Sequence, residues 1–176
     1  MTQTRTLKGI PEGYHSVTPY LTVKDVGASL DFYRKALGAE ERMRLAEPDG
    51  KRIMHAEMKI GESIVMLGDV SPERGCVEPA SLKGHSSGLY VYVTDVDAAF
   101  ARAKGAGAKV TMPVTDMFWG DRMTEIEDPS GHRWSLATRK EELSPAEVAE
   151  RAKKWFAANA KREEHAGSGT RETVTR

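Results

Sequence analysis

The chain has 176 residues and carries 26 Lys and Arg residues against 26 Asp and Glu residues, so its formal net charge at pH 7 is zero. This balance gives no global field that would attract nucleic acid or an anionic membrane, and no apolar run approaches the ~20 residues that span a bilayer. The single cysteine, Cys76, excludes an internal disulfide and no signal peptide is visible, so we expect a cytoplasmic protein.

The first part of the chain predicts a βαβββ module over residues 10–70. Alternating side chains in "SVTPYLTV" predict a strand, and "KDVGASLDFYRKALG" predicts a helix that Asp25 caps and Gly38 ends. Turn signals in "EPDGK" and "IGES" separate three further strands, over residues 41–46, 52–60 and 63–70. Residues 1–9 lack periodicity and are predicted to be disordered.

An internal repeat predicts a second βαβββ module over residues 87–139. The stretch "YLTVKDVGASL", which begins at Tyr20, aligns with "YVYVTDVDAAF", which begins at Tyr90. The predicted elements are a strand, a helix and three strands, over residues 88–94, 96–104, 109–114, 122–127 and 132–138. Residues 71–86, rich in Pro, Gly and Ser, form the linker and are the segment most expected to be mobile.

A C-terminal helix is predicted over residues 144–164, followed by a disordered tail over 166–176. Ser144, Pro145 and Glu147 have the spacing of a capping box with proline at the first helical position. The helix has one largely apolar stripe, formed by Val148, Ala152, Trp155, Phe156 and Asn159. We expect this stripe to pack on the chain's own sheet or on a second subunit.

Two short stretches concentrate side chains suited to chemistry. In "MHAEMKI", His55 and Glu57 share one side of a strand, where they would form a base with an orienting carboxylate, a displaced metal pair, or an ordinary solvated face. In "FWGDR", the residues Phe118, Trp119, Asp121 and Arg122 are candidate site residues. An arginine there would either clamp an anionic ligand or tie the hairpin to a neighbouring loop.

The tandem repeat resembles a known family. With "DFYRKALGAE" after the first strand and "DPSGHRWSL" in the last hairpin, it is similar to the vicinal oxygen chelate superfamily of glyoxalase I, bleomycin-resistance proteins, fosfomycin-resistance enzymes and extradiol dioxygenases. The phrases "PEGYHSVTPYL", "HAEMKIGESIVML", "FWGDR" and "DPSGHRWSLAT" look most like its PhnB-like branch. The resemblance implies an α+β fold with two curved sheets around a cavity, helices on the outer faces, and a homodimer.

Strand parity then predicts which side chains line that cavity. Leu89, Val91 and Val93 would face the helix, whereas Gly88, Tyr90 and Tyr92 would face the cavity. Thr18, Tyr20 and Thr22 would do the same in the first module, with Phe118 or Trp119 at the rim. Such a lining suits a flat or partly aromatic small molecule.

The resemblance also identifies where relatives hold a divalent metal. The four positions fall on Thr18, Gly88, Ser135 and Met66, or on Val65 if the turn is counted differently. None supplies the carboxylate or imidazole that such an ion needs, so no metal is expected. No phosphate-binding or dinucleotide-binding motif is present either, and no cofactor is expected.

Two functional hypotheses remain open. The first is a metal-free, dimeric protein that binds a small organic molecule between its modules. The second is a lyase, isomerase or dioxygenase that uses His55 and Glu57, or a metal held by unusual ligands.

Overall fold

The computed structural model describes residues 9–167, and the side chains of residues 9–159. The segments for which we predicted disorder, 1–9 and 166–176, therefore lie almost entirely outside the described residues. None of the helices within 9–167 combines the length and the apolarity needed to cross a bilayer.

The first module forms a four-stranded sheet with one helix. Its elements are β1 (Tyr20–Val23), α1 (Val26–Leu37), β2 (Glu40–Ala46), β3 (Ile53–Ile60) and β4 (Ser63–Asp69). The strand order is β1-β4-β3-β2, with β1 parallel to β4 and the other neighbours antiparallel. We call this sheet 1.

The linker contains a 3-10 turn (Pro72–Arg74) and a short helix, α2 (Pro79–Leu82). Arg52, which directly precedes β3, donates to Glu73 (2.8 Å), and the amide of Ala80 donates to the carbonyl of Ser130 in the second module (3.1 Å). The linker is thereby held to both modules.

The second module repeats the first. Its elements are β5 (Gly88–Tyr92), α3 (Val96–Gly105), β6 (Lys109–Asp116), β7 (Asp121–Glu127) and β8 (Arg133–Arg139). The order β5-β8-β7-β6 matches that of sheet 1, again with the first pair parallel, and we call it sheet 2. The predicted α+β fold of two βαβββ modules is confirmed.

The sequence repeat has a direct counterpart in how the two helices begin. The carboxylate of Asp25 accepts a hydrogen bond from the amide of Ala28 (2.7 Å), and Asp95 does the same for Ala98 (3.0 Å). Each aspartate satisfies an amide that the first turn of a helix leaves unpaired, which explains why it recurs.

One hydrophobic core joins the modules. Helices α1 and α3 pack on each other and on one face of each sheet, and the largest fully buried side chains are Trp134 and Tyr33. Asp128 lies beside them and accepts from the Tyr33 hydroxyl (2.5 Å) and from the Trp134 indole (2.9 Å). Through Asp128, the "DPSG" turn (residues 128–131) therefore links module two to α1.

The C-terminal helix α4 (Pro145–Gly167) begins at the predicted capping box. The amide of Ser144 donates to the Glu147 carboxylate (2.8 Å), and the amide of Glu147 donates to the Ser144 hydroxyl (3.3 Å). The helix packs through Trp155 and Phe156 on Phe118, with ring centroids 5.6 and 6.2 Å apart. Both aromatic rings of α4 remain substantially exposed on this side.

Candidate functional site

Each sheet has an open face, defined as the face opposite its helix. On sheet 1, one row of paired residues runs from Tyr20 through Met66 and Glu57 to Met43. On sheet 2, the equivalent row runs through Tyr90, Ser135, Glu125 and Met112. The repeat therefore places a tyrosine and a glutamate at matching positions on both open faces.

The open face of sheet 2 is organised around one buried carboxylate. Asp121 is only 2 % exposed, and its Oδ2 accepts from Tyr90 (2.9 Å), Tyr92 (3.0 Å) and the Trp119 indole (3.2 Å). Its Oδ1 accepts from Nε of Arg139 (2.6 Å). Three of the predicted site residues, Tyr90, Tyr92 and Trp119, are thus brought together by a fourth, Asp121.

These contacts define the protonation states around Asp121. Burial by itself would raise the pKa of Asp121, but hydrogen bonds from Tyr90, Arg139 and Tyr92 outweigh it and lower the pKa. Burial and the hydrogen bond to Asp121 together raise the pKa of Tyr90 to about 12. At neutral pH the aspartate is therefore ionised and this tyrosine is a fixed donor.

Arg139 is a residue that our sequence reasoning missed. Its guanidinium also donates to the hydroxyl of Tyr92 (3.1 Å) and lies 5.7 Å from the centroid of that ring. The alternation of β8, in which Ser135, Ala137 and Arg139 share a face, is the signal that would have found it.

The structure does not bring Arg122 to the same place. It directly follows Asp121 in β7, so its side chain lies on the other face of sheet 2. There it pairs with Asp97 at 2.8 and 2.9 Å and with Asp116 at 3.0 Å. Of the two roles considered for this arginine, these contacts match the tie to neighbouring elements, and its donors point away from the Asp121 cluster.

On sheet 1, His55 and Glu57 do form a pair. His55 Nε2 lies 3.2 Å from the Glu57 carboxylate, and its Nδ1 lies 3.4 Å from the Tyr20 hydroxyl, which donates to the carbonyl of Met54 (3.1 Å). Tyr14, which sequence reasoning did not single out, donates to Glu57 at 2.5 Å. The pair is therefore held from both sides.

The surroundings of Glu57 keep it ionised. A hydrogen bond from Tyr14 and, to a smaller extent, one from His55 lower the pKa of Glu57. The hydrogen bond between Tyr14 and Glu57 also raises the pKa of Tyr14. A cavity of about 450 Å³ opens beside this carboxylate, lined also by Tyr14, His15, Thr18 and Met66. Glu57 thus lines this cavity and lies within hydrogen-bond distance of His55, which is not among the lining residues.

The strand register separates the two residues considered for one of the four metal positions. Met66 pairs with Tyr20 and Glu57 on the open face, whereas Val65 is buried in the core, so Met66 is the relevant residue. The hydroxyl of Thr18 donates to the carbonyl of His15 (3.1 Å). Among the side chains of residues 9–159, no three His, Cys, Asp or Glu residues lie close enough together to hold an ion.

Three of the cavities each lie against a single module. Besides the one beside Glu57, a cavity of about 250 Å³ lies between sheet 1 and the linker, and one of about 330 Å³ lies between the linker and sheet 2. The reason is that the helices and the shared core lie on the inner side of both sheets, so the open faces turn away from that core.

Comparison with known proteins identifies relatives over the two modules. An uncharacterized protein of Mycobacterium tuberculosis (strain H37Rv) is 40% identical over 136 residues, which are 76% of this chain and 79% of that protein. A counterpart in Mycobacterium bovis is equally similar, with 89% of its length covered.

Solved structures share the fold. TioX from Micromonospora sp. ML1 is 27% identical with a TM-score of 0.55, covering 74% of this chain and 100% of that one. The fosfomycin resistance protein FosX from Mesorhizobium loti is 15% identical with a TM-score of 0.56, over 73% and 93%. The family model for the glyoxalase/bleomycin resistance protein/dioxygenase superfamily matches residues 13–136. Two βαβββ modules in the same order, matched over that whole range, place the chain in the glyoxalase/bleomycin resistance protein/dioxygenase superfamily.

Proposed function

We propose that this protein binds a small, flat organic molecule on the open face of sheet 2 and does so without the metal that its relatives commonly use. The observation that carries the proposal is the state of Tyr90 and Tyr92. The two residues are 45% and 57% exposed, although both hydroxyls donate to a carboxylate that is itself buried.

Such an arrangement favours recognition by ring stacking. The tyrosine rings are held about 5.3 Å apart, and the rotation of each is limited by its bond to Asp121. A ligand that stacks on them has little side-chain entropy to remove, because the rings are already ordered. We call Tyr90, Tyr92 and Trp119, with Asp121 and Arg139, the platform.

The chemistry of the four candidate positions supports a metal-free function. They offer two hydroxyls, one thioether and, at Gly88, no side chain. A divalent cation needs carboxylate oxygens or imidazole nitrogens, and these residues do not fit one.

The phrases "FWGDR" and "DPSGHRWSLAT" support placement in the PhnB-like branch of the superfamily.

A second copy of the chain would complete the binding site. Large apolar or aromatic side chains on both open faces are exposed in the single chain, including Met43, Leu45, Tyr20, Tyr90 and Tyr92. Exposed apolar surface of this kind marks a face that another molecule covers. We therefore propose a homodimer in which the partner closes over the platform, and light scattering should give a mass near twice 19.4 kDa.

Binding can be tested with a neutral aromatic probe. Benzamide, followed by saturation-transfer NMR, should bind the native protein. Tyr92→Leu, which removes the ring, should weaken binding more than Tyr92→Phe, which keeps the ring but loses the hydrogen bond to Asp121. Val91→Ala is the matched control, because Val91 packs against the core. It should lower the free energy of unfolding by roughly 1 kcal/mol or more without changing the affinity.

The metal-free part of the proposal has its own test. Elemental analysis of purified protein, followed by titration with Zn²⁺, Ni²⁺, Mn²⁺ and Fe²⁺, should give no tight one-to-one complex. A stoichiometric ion that survives dialysis would show that this part of the proposal is wrong, while leaving the benzamide result unaffected.

A second candidate function rests on His55 and Glu57. A histidine oriented by an ionised, largely buried carboxylate is suited to general base catalysis, and that carboxylate lines a cavity. A lyase or isomerase acting in the cavity beside Glu57 is therefore the alternative. If a substrate is found, His55→Gln should abolish turnover while Tyr92→Leu leaves it intact, and the opposite pattern would favour the platform.

A further inference from the structure

Arg133 provides a second, separate feature of the open face of sheet 2. It lies in β8 opposite Gly88 on one side and Glu127 on the other, one pleat before the pair formed by Ser135 and Tyr90. Residues two apart along a strand lie about 7 Å apart on the same face. Arg133 is therefore a neighbour of the tyrosine platform.

The aliphatic stem of Arg133 lies beside the glycine at position 88. A β-carbon built on Gly88 would lie 3.8 Å from both Cβ and Cδ of Arg133 and 3.6 Å from its carbonyl oxygen. The aliphatic part of the arginine thus covers the glycine backbone. A large side chain at position 88 would compete with Arg133 for this space.

The guanidinium of Arg133 is poorly matched by hydrogen-bond acceptors among the described residues. Among the described residues its Nε is buried without a hydrogen-bond partner, and its one ion pair, with Glu125, is at 4.0 Å, which is longer than a hydrogen bond. The other cations of this face are better matched. Arg139 contacts Asp121 at 2.6 Å, and Lys109 contacts Glu127 at 3.2 Å.

We infer that Arg133 binds an anionic group of the ligand, so that the preferred ligand is a flat aromatic molecule bearing a carboxylate or a similar oxyanion. This inference rests on the proposed function, because the ring of that ligand would stack on the platform. A guanidinium presents donors in a planar fork that matches a carboxylate with two parallel hydrogen bonds. Glu125 competes only weakly, since partly exposed ion pairs without short contacts contribute little.

The test compares two probes that differ in charge and little in shape, benzoate and benzamide. The native protein should bind benzoate about tenfold more tightly, which corresponds to one charge-assisted pair. Arg133→Met, which keeps an apolar stem over Gly88, should bind the two probes equally and leave the benzamide affinity unchanged. Lys109→Met is the matched control and should retain the preference for benzoate.

Two further measurements keep the result independent of how well that variant folds. In the native protein, benzoate but not benzamide should shift the NMR signal of the Arg133 Nε–H group. Glu125→Gln should strengthen benzoate binding only slightly, because the carboxylate that it removes competes weakly for Arg133.

The outcomes separate the two proposals. Equal affinity for both probes in the native protein, or an undiminished preference in Arg133→Met, would overturn the role of Arg133 and leave the platform standing. Absence of binding by either probe to the native protein would overturn both.

Discussion

Asp121 shows how a single buried charge can organise a surface. A carboxylate that loses its water must recover hydrogen bonds from the protein, and Asp121 recovers them from two tyrosines, an indole and a guanidinium. Those donors come from β5, from β8 and from the turn before β7. The rings of the platform are consequently placed by electrostatics as much as by packing.

Replacing the carboxylate of Asp121 tests how much its hydrogen bonds contribute to stability. Asp121→Asn should lower the free energy of unfolding at pH 7 by about 2 to 3 kcal/mol, because the amide cannot accept from all four donors. Urea denaturation provides the measurement. Asp116→Asn is the control, since that exposed residue pairs with Arg122 at the surface, and it should cost at most about 0.5 kcal/mol.

The difference in stability between the native protein and Asp121→Asn should depend on pH. The pKa of Asp121 is lower in the folded protein than its ordinary value, so the folded state binds this proton less readily than the unfolded chain does. Its contribution to stability is therefore fully present above about pH 4, the range of an unperturbed aspartate, and is lost as the pH falls further. The difference between native protein and Asp121→Asn should shrink in acid, and a difference independent of pH would contradict this.

At the scale of the element, β4 shows how a strand can depend on one small residue. Gly68 pairs with Thr22 of β1, and the ring of Tyr20 lies across it. A β-carbon at position 68 would lie 2.9 Å from the Tyr20 hydroxyl and 3.1 Å from the carbonyl of Met54, which that hydroxyl contacts. The glycine therefore allows the tyrosine to reach the carbonyl of Met54 near the start of β3.

Two alanine substitutions should have opposite effects. Gly68→Ala should lower the free energy of unfolding by about 1 kcal/mol or more, because the tyrosine must leave its hydrogen bond. Gly105→Ala at the end of α3, where a β-carbon meets nothing, should raise it by about 0.5 to 1 kcal/mol. Thermal unfolding of both variants is the measurement, and a shift in the same direction would show that contact at Gly68 is not the cause.

At the scale of the whole molecule, the contact between Tyr33 and Asp128 joins two modules that are far apart in sequence. The tyrosine belongs to α1 and the aspartate to the turn between β7 and β8, and both are buried. Burial, followed by the charge of Asp128, raises the pKa of Tyr33 well above its ordinary value, so the hydroxyl remains a donor. The modules are thereby linked by a hydrogen bond as well as by the core.

A double-mutant cycle measures that link. Tyr33→Phe and Asp128→Asn should show a coupling energy of about 1 to 2 kcal/mol in urea denaturation, because each removes the same interaction. Tyr33→Phe combined with Asp121→Asn serves as the control. Those sites share no hydrogen-bond partner, so their effects should add within about 0.5 kcal/mol.

Much of the architecture could be predicted from local chemistry. The aspartates at positions 25 and 95 cap their helices, the repeat aligns the modules, and the capping box at Ser144 begins α4. Strand parity separated Leu89 and Val91, which pack against the core, from Tyr90 and Tyr92, which do not. These features depend on near neighbours in the chain, and sequence alone therefore determined them.

Only the tertiary structure decided which of the candidate residues meet. Asp121 and Arg122 are adjacent in sequence, yet Asp121 accepts hydrogen bonds from the tyrosines, whereas Arg122 pairs with α3. The reason is that neighbouring side chains in a strand point to opposite faces. Arg139, Tyr14 and Arg133 reach the open faces through strand pairing and through contacts between residues distant in sequence. Hydrogen bonds and charge act through space, so a site assembled across strands is determined by register and packing.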